Sequence, residues 1–125
     1  MKPEVQTESF NVERHGELAV IIPAPDVENM PETLIQPAAE LVLAPLRNKP
    51  PSGVVIDLSK VKFFGSAFIS FLLKCHMLAR RQGCEVVLAG VSPRIRELLN
   101  VTALNTLWAL YDTRAEALEA LGGSD

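Results

Sequence analysis

The chain has 125 residues, 48% hydrophobic and 22% charged, with a formal net charge of -3. That is enough for one hydrophobic core and too short for two domains. The charge balance lacks the basic field that nucleic acid or an anionic membrane surface requires. Apolar runs such as Ala67 to Leu73, broken by Ser70, fall short of a membrane span, and MKPEVQTESF carries no apolar signal core. The expectation is one cytoplasmic domain over 1–125, core about 10–121, with no membrane insertion and no nucleic-acid partner.

Phe10-Asn11-Val12 and Leu18-Ala19-Val20-Ile21-Ile22 flank a polar centre at His15-Gly16, the pattern of two strands joined by a hairpin. The second strand is apolar at consecutive positions, which predicts burial on both faces. Pro23, Pro25 and Pro31 end it, and Pro31 suits a first helical turn. From Glu32 to Arg47, Leu34, Ile35, Ala38, Leu41, Val42 and Leu46 recur at helical spacing, with Pro37 and Pro45 kinking or shortening the helix. The breaker run Asn48 to Gly53 precedes Val54-Val55-Ile56-Asp57-Leu58, read as a buried strand, and Glu85 to Ala89 reads as another.

Between those strands the spacing predicts a long helix, about Ser66 to Gln82. Phe68, Leu72, Cys75 and Ala79 form its core stripe, Ser66, Ser70, Lys74, Met77 and Arg81 its exposed stripe, and Gly83 its stop. Ser92-Pro93 opens a shorter helix through Leu99, Ser as cap and Pro at the first helical position. Leu107 to Tyr111 reads as a last strand, Thr113 to Leu121 as a short amphipathic helix, and Gly122 to Asp125 as a fraying tail. The sum is a small α/β fold: a mixed, mostly parallel sheet with an antiparallel first strand, packed with about four helices.

Chemistry-bearing patterns are sparse. Neither G-x-x-x-x-G-K-[ST] nor G-x-G-x-x-G follows a candidate strand. His15 and His76 have no evident companion acid or nucleophile along the sequence, and Cys75 and Cys84 lack metal-ligand spacing and read as buried free thiols. Asp57 closes a buried strand at the edge where open α/β sheets place functional groups, and its bland role is a loop-closing acceptor. Ser66 follows Gly65 at a helix start, where its hydroxyl suits an N-cap and where the helix end also favours a phosphate. These patterns imply no catalysis, no metal and no cofactor.

The segment from Val54 through Asp57-Leu58-Ser59 and Phe63-Phe64-Gly65-Ser66 to Phe68 resembles that of the anti-sigma-factor antagonist (STAS) family. There a hydrophobic strand and a D-L-S-like turn lead into D-S-[ST]-G at a helix start. A second block, Leu88 to Leu104, resembles the family's strand, its S-P with a short helix and its T-G-L-like ending. The chain departs from the family pattern at Gly65 (Asp), Ala67 (Ser or Thr), Phe68 (Gly) and Ala103 (Gly). The resemblance implies a non-enzymatic regulator of transcription whose phosphorylation site is Ser66. Its partner would be an anti-sigma factor or related serine/threonine kinase, bound through Asp26, Phe64, Gly65, Ser66, Ser70 and Lys74. The alternative it implies is an accessory subunit docked on the ATPase of a lipid-transport ABC transporter.

Overall fold

The computed structural model describes residues 3–6, 10–28, 31, 33, 37, 40, 43–44 and 47–122. Among them, six strands form one sheet: β1 (Pro3–Gln6), β2 (Phe10–His15), β3 (Leu18–Pro23), β4 (Gly53–Asp57), β5 (Glu85–Ala89) and β6 (Ala109–Tyr111). The helices with described bounds are α1 (Ser66–Arg81), α2 (Pro93–Val101) and α3 (Arg114–Ala120), with short 3-10 turns at Pro25–Glu28 and Leu104–Thr106. Of the helix predicted over Glu32–Arg47, the described positions Thr33, Pro37, Glu40, Leu43, Ala44 and Arg47 are helical. Its other positions, like Gly123 to Asp125 of the tail, lie outside the described residues.

The strands lie side by side in chain order. β1, β2 and β3 are antiparallel neighbours, and β3 through β6 run parallel. This is the mixed, mostly parallel sheet expected from the sequence, with one strand more. β1, built from Pro3-Glu4-Val5-Gln6, pairs with β2 across an irregular register. A proline and two polar residues give it no strand signature, and the sheet edge is where a strand proline is tolerated.

Every residue of β3 and β4 is buried, because both faces of the sheet are covered. Side chains alternate across a strand, so Ala19, Ile21, Val54, Ile56 and Leu88 face one core with α1 and α2, while Leu18, Val20, Ile22, Val55 and Val87 face a second core closed by Ala117 and Leu118 of α3. Each fully buried aliphatic side chain contributes about 1.5–3 kcal/mol. In α1 the predicted stripe Phe68, Leu72, Cys75 and Ala79 is buried and Phe71 joins it. The Phe71 ring lies 4.8 Å from Phe10 and 5.4 Å from Phe68. Gly83, just past the end of α1 at φ +73°, supplies the left-handed residue that stops the helix. Among the described residues no helix is long and apolar enough to cross a membrane.

Candidate functional site

The parallel strands end together at one edge of the sheet, and three connections gather there: the 3-10 turn after β3, the loop 58–65 after β4 and the turn 90–92 after β5. The middle loop is held by anchors at every third position, Leu58, Val61 and Phe64, each at most 2% exposed. The Leu58 amide donates to the Ala89 carbonyl at 2.8 Å and the Val61 amide to the Leu58 carbonyl at 3.0 Å. Ser59, Lys60 and Lys62 between the anchors, and Gly65 just after the last, are exposed. The Lys62 amide donates to Glu28 Oε2 at 3.2 Å, which ties this loop to the turn that carries Asp26. The turn after β5 approaches just as closely. A Cβ on Gly90, at φ +65°, would lie 2.8 Å from the Ser59 amide nitrogen, so only glycine fits there.

The loop delivers the chain into α1 at Ser66. The sequence suggests Ser66 as N-cap; the structure moves the cap to Gly65, at φ -106° and ψ -166°, and makes Ser66 the first helical residue. The side-chain cap is therefore lost: Gly65 offers the first-turn amides no side-chain acceptor, and the first turn holds no acidic residue. The amides at this end face outward beside an exposed serine, where the helix dipole favours negative charge. Gly65 itself is exposed, with open space around the position of a Cβ.

Of the residues expected in a partner contact, Gly65, Ser66 and Ser70 are exposed, and Ser70 Oγ donates to the Ser66 carbonyl at 3.2 Å. Asp26 is exposed on the neighbouring turn. Lys74 is half-buried and, with Met77, Leu78 and Arg81, lines a groove of about 200 Å³ against Glu40, Leu43 and Arg47. Phe64 is different. It is fully buried with its ring 4.9 Å from Phe68, so it anchors the loop and its side chain is not available to a partner. The aromatic on this surface is its neighbour Phe63, half-buried and covered by the Arg94 guanidinium at 4.3 Å from the ring centroid. Sequence reasoning missed both Phe63 and Arg94. The three-residue spacing of Leu58, Val61 and Phe64 was the available signal that Phe64 points inward.

Asp57, on the face covered by α3, is an acceptor whose oxygens are already engaged. Oδ1 accepts from the Ser59 amide at 3.0 Å, closing the turn, and Oδ2 accepts from Arg114 at 2.8–2.9 Å. Arg114 also stands 3.7 Å from Glu13, whose carboxylate takes the Asn11 amide at 2.8 Å and lies 3.6 Å from His15 Nε2. His15 thus has a neighbouring acid two residues earlier on the same face of β2, a period-2 spacing that the sequence reading overlooked. His76 meets the Trp108 ring edge-on, with centroids 5.8 Å apart. Cys75 is buried, and loss of solvent pushes its thiol up to about 12; the partly buried Cys84 is also raised by burial, with Arg14 opposing the shift. Among the described residues no group of three or more His, Cys, Asp or Glu stands together to hold a metal ion.

Comparisons with known proteins agree with this architecture. Residues 7–117 match the model of the STAS domain. The anti-sigma F factor antagonist of Paenibacillus polymyxa is 26% identical over 68 residues, 54% of this chain and 58% of that protein, so the match spans little more than half of the relative's length. A solved anti-sigma-factor antagonist (STAS) domain protein from Planctomyces limnophilus is 33% identical, with a TM-score of 0.77 over 91% of this chain and 98% of that one. The anti-sigma factor antagonist SpoIIAA in its unphosphorylated form superposes with a TM-score of 0.77 over 94% of this chain and 99% of that one; at 14% identity it shares the fold.

Proposed function

We propose that this chain, which belongs to the STAS domain family, is a non-catalytic anti-sigma-factor antagonist that switches partners when Ser66 is phosphorylated. The observation that carries this reading is the exposed Ser66 at an uncapped helix start, on a loop pinned by Leu58, Val61 and Phe64. The unmodified protein binds an anti-sigma factor or a related serine/threonine kinase through Ser66, Gly65, Ser70 and Lys74, with Asp26 on the adjoining turn. The kinase then transfers the γ-phosphoryl group of its ATP to Ser66 Oγ; the hydroxyl proton leaves and ADP departs. A phosphate adds about 1.5–2 negative charges at neutral pH, which a helix N-terminus tolerates and a contact fitted to a neutral hydroxyl does not easily desolvate. Release follows while the fold persists.

Co-purification from native lysate, followed by incubation of the recovered complex with ATP and peptide mass spectrometry, tests this. The expected result is a kinase-like partner that phosphorylates Ser66 and is released, with Ser66→Ala bound but not released. Phosphate confined to another residue, or a transporter ATPase as the partner, overturns it.

A further inference from the structure

We infer that Arg94 receives the phosphate on Ser66, leaving the ring of Phe63 to do so; this rests on Ser66 being the modified residue. Other arginines of the sheet edge are paired: Arg96 lies 3.6 Å from Asp112, and Arg114 bridges Asp57 and Glu13. Arg94 is exposed, and its contact among the described residues is the Phe63 ring. A guanidinium that is itself in solvent is only weakly held by the half-buried Phe63 ring, whereas a phosphate offers it two parallel charge-assisted hydrogen bonds. The exchange is therefore downhill once a phosphate comes within reach.

Reach follows from the chain. Phe63 precedes Ser66 by three residues, and an extended chain covers at most about 3.6 Å per residue, so their Cα atoms are within about 11 Å. Arg94 already extends to the Phe63 ring, so the pairing requires its long side chain and the phosphoserine to rotate toward each other across that interval. The charges nearby favour the same direction. Glu28 and Asp26 lie on the turn tied to Lys62 and repel a phosphate, while Arg94, in the first turn of α2, attracts one. Lys60 and Lys62 are exposed competitors on the loop, but an ammonium is a strongly hydrated point charge without the planar fork that matches a phosphate. Movement of Arg94 uncovers Phe63, so modification changes this surface twice, by added charge and by an opened apolar ring.

The test needs no kinase. Phosphoserine is incorporated at position 66 during translation, in the parent protein and in Arg94→Gln, Arg94→Lys and Lys62→Gln variants. Phosphorus NMR follows each phosphate through its titration, and proton NMR follows the Phe63 ring. The parent phosphate is expected to lose its last proton at a pH lower by about half a unit or more than in Arg94→Gln, because a nearby cation favours the dianion. Arg94→Lys should fall between the two, Lys62→Gln should match the parent, and the Phe63 signals should shift on phosphorylation only where Arg94 is present. Equal titrations in the parent and Arg94→Gln, with both folded by circular dichroism, overturn the inference, as does a loss confined to Lys62→Gln. That outcome leaves Ser66 phosphorylation standing, and failure of any kinase to modify Ser66 leaves the measured pairing standing.

Discussion

Asp57 and Ser66 lie on the same outlet of β4, one 3% exposed and the other open to solvent at the start of α1. At Asp57 the protein supplies both a backbone donor, from Ser59, and a charged one, from Arg114. Both oxygens are engaged within the protein, and the carboxylate ties β4, the loop and α3 into one body. At Ser66 the opposite holds, because no side chain caps the first turn and Gly65 contributes none. A buried polar group must be satisfied internally, so it becomes structural; an exposed, uncapped helix start is free to take a new charge. The sequence marks both residues as candidates on the carboxyl edge, and burial separates their roles.

The largest way to break this contrast is to remove Asp57. Asp57→Ala leaves the Arg114 guanidinium and the Ser59 amide without their main acceptor, and cutting one partner from a buried ion pair costs about 3–5 kcal/mol. The Arg114 side chain is 34% exposed, so water recovers part of the loss and about 3 kcal/mol is expected. Urea unfolding measures it. A loss below about 1 kcal/mol, the scale of a surface ion pair, would show that the cluster is no structural tie.

A smaller effect is expected where a serine does cap a helix. Ser92 precedes Pro93, and its hydroxyl accepts from the Ile95 amide at 3.2 Å, as the Ser-Pro pair predicts. Ser92→Ala should cost about 1 kcal/mol by thermal or urea unfolding. A change within about 0.3 kcal/mol would mean that solvent satisfies the Ile95 amide equally well.

What the sequence revealed follows from the range of the interactions involved. The faces of α1, the buried strands β3, β4 and β5, and the Ser92 cap rest on contacts within one element or on simple burial, and periodicity with local chemistry exposes them. The Asp57–Arg114 pair joins residues 57 positions apart, and the Phe63–Arg94 contact joins the loop after β4 to the first turn of α2, so neither has a local signature. Phe63 and Phe64 are chemically alike and adjacent; which one turns inward is decided by the loop's anchoring. The cap at α1 was misplaced by one residue, because serine is a favoured cap while glycine serves through its backbone alone.

That one-residue shift makes the smallest prediction the most informative about Ser66. If its hydroxyl were a cap, Ser66→Ala would cost about as much as Ser92→Ala, near 1 kcal/mol. As the first helical residue, with its side chain in solvent and its carbonyl receiving Ser70 Oγ, it gives up no first-turn hydrogen bond when truncated. Alanine is also the better helix former by a few tenths of a kcal/mol. The expected change is within about 0.5 kcal/mol of zero, measured beside Ser92→Ala under the same conditions. A loss equal to that of Ser92→Ala would place the cap back on Ser66. Its oxygen would then already be committed to the backbone, and phosphorylation would have to break that bond before it could act on a partner.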